Sequence, residues 1–217
     1  MKILAISGSL RAVSINSTLL RTAARLAPAG VEVVWCGVVG ELPLFNPDLE
    51  PHPPPGVARL RAEVAAADAL LIASPEYAHG VSGTIKNALD WLVIFEPFVA
   101  KPVAVLNASP RAHHADAELR ETLRTMSANV VEAACVGIPL LGANITESEM
   151  AELPSVAQAI RDSLAALYCS VVLQQSAHSP AYASPGPAGE RYDNATLSEK
   201  LSLRPWRCRI SPSIPDL

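Results

Sequence analysis

The feature that most constrains the fold is an alternation of short apolar runs with segments of helical periodicity over the first 170 residues or so. The apolar runs occupy residues 2–7, 31–36, 68–74 and 101–109, with a fifth expected within 130–138. They lack polar alternation, which is typical of strands buried on both faces. Helical spacing predicts helices at 14–26, 57–67, 82–95, 116–130 and 154–169.

Five strand–helix pairs predict an α/β fold, with a parallel sheet covered by helices on both faces. We expect a flavodoxin-like three-layer sandwich of strand order 2-1-3-4-5, since the chain is short for a sixth strand. Residues 1–173 would form this domain. Residues 174–217 are rich in Ser, Pro and Ala without an apolar period, which predicts a mostly disordered tail. The proline-rich stretch 42–56 is expected to be an irregular connection.

Composition excludes several classes of partner. A net charge of −4 gives no broad basic surface, so nucleic acid is not expected to bind. No apolar run approaches the roughly 18 residues of a membrane span, and the N-terminus lacks the apolar region of a signal peptide. We therefore expect a cytoplasmic protein. The four cysteines are scattered without CxxC spacing.

The predicted topology places three loops around one site. In a doubly wound sheet, ligands bind beyond the carboxyl ends of the strands, at the point where the strand order reverses. For the order 2-1-3-4-5 this point lies between the first and third strands. The loops expected there are residues 8–15, 74–81 and 108–115.

The first of these loops belongs to the stretch GSLRAVSINSTLLR at residues 8–21. A helix N-terminus offers unpaired N–H groups and the positive end of a dipole, and Arg11 adds a forked cation, which suits a phosphate monoester. The stretch has neither a Walker motif nor a G-x-G-x-x-G motif. Two interpretations stay open: a phosphate site, or capping of the helix by Ser14 or Asn16.

The second loop opens the stretch SPEYAHGVSGTIKNALDWL at residues 74–92. Gly80 and Gly83 allow the backbone to pass close to a flat ligand, and Tyr77 offers an aromatic ring. The backbone N–H groups of residues 75–79 suit the polar edge of a planar heterocycle. The alternative is an ordinary connecting loop with packing glycines.

Together, the two stretches resemble the NAD(P)H-dependent FMN reductase family of flavodoxin-like flavoproteins, which includes reductases of quinones, chromate and azo dyes. The resemblance covers roughly residues 1–170, with both motifs in the correct order and spacing. It implies bound FMN, with NADPH or NADH as the electron donor. The acceptor would be small: a free flavin, a quinone, an azo compound or a metal oxyanion. No catalytic side chain is predicted, because the cofactor carries the chemistry.

The resemblance also implies which residues contact FMN. The first stretch would wrap the phosphate, and the second would lie along the isoalloxazine ring. The implied contacts are Ser9, Arg11, Ser14, Ile15, Asn16, Ser17, Pro75, Glu76, Tyr77, Ala78 and Ser109.

Two positions depart from the family pattern. Many members have Asn after the tyrosine of the second motif, where this chain has Ala78 followed by His79. Many also have a glycine-rich third loop, where this chain has the sequence SPRAHHAD at residues 109–116. Under the resemblance, candidate contacts to NAD(P)H or substrate are His79, Arg111 and His113.

A metal site is a further interpretation of the third loop. His113, His114 and Asp116 are potential ligands, but adjacent histidines point in different directions and no second cluster supplies the remaining ligands. No metal is therefore expected.

Two other functions stay open at this level: an electron carrier of the flavodoxin type, and a silent flavin-binding module. A carrier normally needs a strongly acidic docking face, and a net charge of −4 is modest. By resemblance, we expect a homodimer or homotetramer that pairs through the helix bearing Trp91 and the segment 93–98. Phe95 and Phe98 would then be exposed, and their burial within the monomer is the alternative.

Overall fold

A parallel sheet runs through the part of the chain that the computed structural model describes, residues 1–109, 111–140 and 145–177. The strands are β1 Lys2–Ser7, β2 Glu32–Trp35, β3 Ala69–Ala73, β4 Glu76–Tyr77, β5 Gly80–Val81, β6 Pro102–Asn107, β7 Asn129–Val130 and β8 Val136–Gly137. The helices are α1 Ile15–Leu26, α2 Pro55–Ala65, α3 Gly83–Asp90, α4 His113–Thr125, α5 Glu147–Glu152 and α6 Pro154–Ala177.

The strand order of the main sheet is β2-β1-β3-β6-β7, and all of its pairs are parallel. This confirms the predicted order 2-1-3-4-5. The fifth position holds two short strands rather than one, because β8 also pairs with β6, further along it than β7. A short 3-10 turn, Glu132–Ala134, separates the two strands.

Apolar side chains on both faces of the sheet build two cores. Along β1, Ile3 belongs to the core beneath α1 and α6, and the next residue, Leu4, belongs to the core beneath α2 and α3. Successive side chains of a strand point to opposite faces, so a strand covered on both sides must be apolar at every position. The buried apolar runs of the sequence therefore predicted the sheet correctly.

Several element boundaries differ from the sequence prediction. The helix predicted for 82–95 ends at Asp90, and the segment after it forms turns and a 3-10 helix, Glu96–Phe98. The fourth helix begins at His113, three residues earlier than predicted, and ends at Thr125. Helix α5 and the β4–β5 hairpin were not predicted.

The last helix is also longer than predicted, because α6 continues to Ala177. Residues 174–177, which the sequence assigned to the tail, are therefore helical, and the remaining tail prediction falls on 178–217, outside the described residues. By length and composition alone, α6 could cross a membrane, which the sequence analysis did not expect. Half of its most apolar window is buried inside the fold, where Ile160 and Leu164 pack into the α1 core.

Candidate active site

A cleft of about 300 Å³ lies at the carboxyl ends of β1, β3 and β6, where the strand order reverses. We call it the switch-point cleft. It brings together residues of all three predicted loops, which are far apart in the sequence. Its lining residues are Ile15, Asn16, Ser74, Pro75, Glu76, Asn107, Ala108, Ser109, Arg111 and Ala112.

The turn between β1 and α1 is organised by serine hydroxyls. Ser14 is the N-cap of α1, and its Oγ accepts a hydrogen bond from the N–H of Ser17. The Oγ atoms of Ser7 and Ser17 are hydrogen-bonded at 2.9 Å, and Ser9 Oγ accepts from the N–H of Arg11 at 3.4 Å. The capping interpretation therefore holds for Ser14.

After this capping, several hydrogen-bond donors at the cleft still have no partner. Within the described part of the chain, the N–H groups of Ile15 and Asn16 at the start of α1 have no hydrogen-bond partner. Asn16 is buried, and its side chain makes no hydrogen bond to the described residues. Arg11 is exposed, and its guanidinium makes no ion pair with the described residues. Unpaired N–H groups, an amide and a free cation form a donor set that suits an anion.

Gly8 sets the distance between the first and second loops. Its N–H donates to the carbonyl of Ala73 at 2.8 Å, and its carbonyl accepts from Oγ of Ser82 at 2.7 Å. A Cβ at this position would lie 2.3 Å from Ser74 Oγ. The glycine is thus required for close packing of the strand ends.

Glu76 joins the second loop to the third. One carboxylate oxygen accepts from the N–H of Ala115 at 2.9 Å, in the first turn of α4, and the other contacts Nδ1 of His79 at 3.1 Å. The Ala115 N–H, and after it the His79 ring, lowers the pKa of the Glu76 carboxyl below its ordinary value. The N-cap residue of α4, Ala112, has no capping side chain, so Glu76 supplies a cap from a distant loop. The sequence analysis missed this function.

The β4–β5 hairpin carries two residues in an unusual conformation. Ala78 and His79 form its turn, with φ of +50° and +62°. Two-residue turns of this kind normally contain Asn and Gly, because both central residues need positive φ. The absence of Asn at position 78 therefore leaves backbone strain in the turn. Tyr77, just before it, is exposed.

Asn107 shapes the third loop and was also missed by the sequence analysis. Its Oδ1 accepts from the N–H of Ser109 at 3.0 Å, and its Nδ2 donates to the carbonyl of Ala112 at 3.1 Å. These bonds curl the chain at the end of β6 and place Ser109 and Arg111 on the cleft wall. An Asn or Ser just after a strand, followed within a few residues by a helix, is the local signal that marks such a turn.

Three histidines lie together beside the cleft. The rings of His79 and His114 meet edge to face with centroids 4.6 Å apart, and His113 lies 4.0 Å from His114. Within residues 1–109, 111–140 and 145–177, no group of three or more His, Cys, Asp or Glu is arranged to hold a metal ion.

The predicted contacts fall into three groups. Ile15, Asn16, Pro75, Glu76, Ser109 and Arg111 line the switch-point cleft. Ser9, Arg11 and Ser17 line a second cleft, of about 440 Å³, between the first loop and the residues that follow β2. Neither cleft is lined by Ser14, Tyr77, Ala78, His79 or His113.

The flavodoxin-like sheet, with a first loop at its switch point whose free donors suit an anion, defines the class of the protein: a flavodoxin-like protein with a candidate ligand site at the switch point. Residues 1–140 match the sequence profile of the NADPH-dependent FMN reductases. The chain therefore belongs to the NADPH-dependent FMN reductase family, whose members are NAD(P)H-dependent flavin oxidoreductases with FMN as cofactor.

Individual proteins agree with this assignment. An NAD(P)H-dependent FMN reductase of Pseudomonas aeruginosa is 43% identical over 129 residues, which is 57% of this chain and 69% of that protein. A quinone reductase of Escherichia coli is 34% identical over 113 residues, 50% of this chain and 60% of that enzyme. Among solved structures, the chain is similar to FerB, a flavoenzyme NAD(P)H:(acceptor) oxidoreductase of Paracoccus denitrificans, with 26% identity and a TM-score of 0.60. The match covers 81% of this chain and 97% of the FerB chain.

Proposed function

We propose that this chain is an NAD(P)H-dependent reductase that holds FMN in the switch-point cleft and reduces a small acceptor such as a quinone or a free flavin. The observation that carries the proposal is the convergence of three loops on one cleft, with unpaired N–H groups of α1 at its wall. The quinone reductases and the FMN reductase among its relatives support this acceptor class.

The residues present fit FMN. At the first loop, the N–H groups of Ile15 and Asn16 and the side-chain amide of Asn16 are hydrogen-bond donors without partners among the described residues. Arg11, which lines the neighbouring cleft, supplies an exposed countercharge on the same loop. A phosphate monoester at this loop would use these donors. Pro75 and Ser109 both line the cleft, and the flavin ring would lie against their loops.

FMN, when bound, supplies the hydride chemistry between NAD(P)H and the acceptor. The protein's own contribution is position and electrostatics. Glu76 and Asn107 fix the second and third loops through hydrogen bonds to the start of α4. Arg111, on the cleft wall, offers a forked cation to a phosphate of the nicotinamide nucleotide. His79 and His113 lie beside this wall, where the donor or the acceptor would enter.

The experiment that tests this function is anaerobic addition of NADPH to the purified, FMN-loaded chain. Loss of the flavin absorption band, followed by its return on addition of benzoquinone, is the expected result. An electron carrier or a silent flavin-binding module would keep its band after NADPH addition, and a chain that bound no FMN would show no flavin band at all. Either outcome would refute the proposed activity.

We also propose that the protein works as a homo-oligomer in the cytoplasm. Trp91 and Phe98 are fully buried and Phe95 is partly buried, so the alternative of burial within the monomer holds for Phe98. The exposed apolar side chains of this segment are Val93, Ile94 and Val99, with Ile94 69% exposed. A patch of this kind favours a second copy as its partner. Ile94→Asp is expected to lower the mass measured by light scattering, and an unchanged mass would argue against this surface.

A further inference from the structure

The histidine cluster is joined to the switch-point cleft through one hydrogen bond. Glu76 lines the cleft, and its Oε1 lies 3.1 Å from Nδ1 of His79. The His79 side chain is 78% exposed, whereas that of Glu76 is only 12% exposed. A carboxylate behind an imidazole that faces solvent is an arrangement suited to proton transfer.

We propose that His79 delivers the proton that a quinone-type acceptor takes up when it is reduced at the outer edge of this cleft, beyond Glu76. The proposal rests on the proposed function. Reduction of a quinone to a hydroquinone needs two electrons and two protons. The hydride of NAD(P)H brings both electrons and one hydrogen, so the balance is NAD(P)H + H⁺ + quinone → NAD(P)⁺ + hydroquinone. The H⁺ comes from the imidazolium of His79: its Nε2–H bond breaks as the O–H bond of the hydroquinone forms, and solvent then reprotonates the ring.

The hydrogen bond with Glu76 decides which ring nitrogen transfers the proton. The Ala115 N–H, followed by the His79 ring, lowers the pKa of the Glu76 carboxyl, so this group is an anion near neutral pH. An anionic carboxylate only accepts, so Nδ1 of His79 must carry a hydrogen in both charge states. The nitrogen that gains and loses a proton is therefore Nε2.

Backbone strain at His79 is a second observation that favours a functional role for this residue. His79 has φ of +62°, a region that a residue with a Cβ adopts at a cost. The turn keeps this conformation while the ring is held edge-on by His114 at 4.6 Å. Strain of this kind is concentrated at functional sites, because it persists only where surrounding contacts impose it.

The titratable and charged groups around this turn come from three elements. Glu76 lies on β4, and Arg111 lies in the loop before α4. Helix α4 contributes His113, His114 and Glu118, whose Oε2 accepts from the N–H of Val81 at 2.9 Å.

The test compares two acceptors with the FMN-loaded full chain and NADPH. Benzoquinone needs a proton on reduction, and ferricyanide takes electrons alone. His79→Asn keeps a residue that tolerates positive φ and removes the titrating nitrogen. We expect kcat with benzoquinone to fall roughly 10²-fold at pH 7 and kcat with ferricyanide to stay within about twofold. The wild-type benzoquinone rate should also fall as the pH rises, and the variant's rate should not.

His52→Asn is the matched control, since His52 lies in the proline-rich loop, outside both clefts and outside the histidine cluster that contacts Glu76. Equal losses with both acceptors, or no loss with benzoquinone, would overturn the proposal. If the wild type reduced neither acceptor, the proposed function itself would fail.

A second measurement needs no turnover. Nitrogen-15 spectra of the histidines in the apo chain should show the neutral His79 ring with its hydrogen on Nδ1, and Glu76→Gln should abolish this preference. A neutral ring protonated on Nε2 would overturn proton delivery, because the titrating nitrogen would then face Glu76.

Discussion

Replacing Gly8 with alanine tests whether direct contact between the first two loops shapes the cleft. The new Cβ would lie 2.3 Å from Oγ of Ser74 and 2.8 Å from Oγ of Ser82. Real Cβ atoms do not approach other atoms so closely, so the ends of β1 and β3 must move apart. This movement would lengthen the 2.8 Å backbone bond to Ala73 and the 2.7 Å bond from Ser82.

The magnitude follows from these contacts. Forcing a methyl group into a packed region costs about 1–3 kcal/mol. Loss of one hydrogen bond adds about 1 kcal/mol. The less flexible unfolded chain of the alanine variant returns about 0.4–1 kcal/mol. We therefore expect the free energy of unfolding to fall by about 1–4 kcal/mol, and FMN to bind more weakly because the first and second loops separate.

The assay is urea unfolding of the apo chain together with a flavin fluorescence titration. Gly83→Ala is the matched control, because a Cβ at position 83 meets nothing within 4 Å and alanine is the better helix former. The double variant Gly8→Ala/Ser74→Gly removes the nearest contact and should recover part of the loss. A Gly8→Ala protein with wild-type stability and wild-type FMN affinity would refute the reasoning.

Three further predictions concern separate features. Arg11→Ala should weaken FMN binding about tenfold in a fluorescence titration. The midpoint of urea unfolding should not change, because this exposed side chain makes no ion pair with the described residues. An unchanged FMN affinity would show that the arginine serves another purpose. Ala78→Gly should raise the free energy of unfolding by about 0.5–1 kcal/mol, because glycine adopts the φ of +50° at this position without strain. A loss of stability in urea would show that the alanine is not strained. Hydrogen bonds from Arg124 and then Arg120 lower the pKa of Glu132 below its ordinary 4.5, so its stabilisation is complete above that pH and is lost as the pH falls. The melting temperature of Glu132→Gln should accordingly lie below that of the wild type at pH 7, and this difference should shrink as the pH falls through the lowered pKa of Glu132. A difference that stays constant with pH would contradict this.

The sheet was predictable because burial on both faces requires a simple sequence pattern, a run of consecutive apolar residues in each strand. Each central strand must be apolar at consecutive positions, as in β3, where Ala69–Ala73 is completely buried. The strand order then follows from the shortness of the chain and the handedness of the crossovers. The three loops of the site follow in turn, because ligands bind where the order reverses.

The missed features depend on contacts between distant residues or on weak local signals. Glu76 caps α4 across 39 residues of sequence, and no periodicity within either segment reveals that bond. The β4–β5 hairpin lacks the Asn and Gly that mark such turns, since Ala78 and His79 occupy them. Helix α5 did carry a signal, the capping box of Thr146 and Glu149, in a segment too short for a periodic pattern.

Glu76 also explains how this chain keeps a formed cleft despite two local defects beside it. The hairpin turn contains two strained residues, and α4 has no cap of its own. Each defect alone would loosen its loop, since positive φ and uncapped N–H groups both cost free energy. The carboxylate of Glu76 offsets both, because one oxygen holds His79 in the turn and the other satisfies Ala115 in the helix. The second and third loops are therefore joined through this one carboxylate.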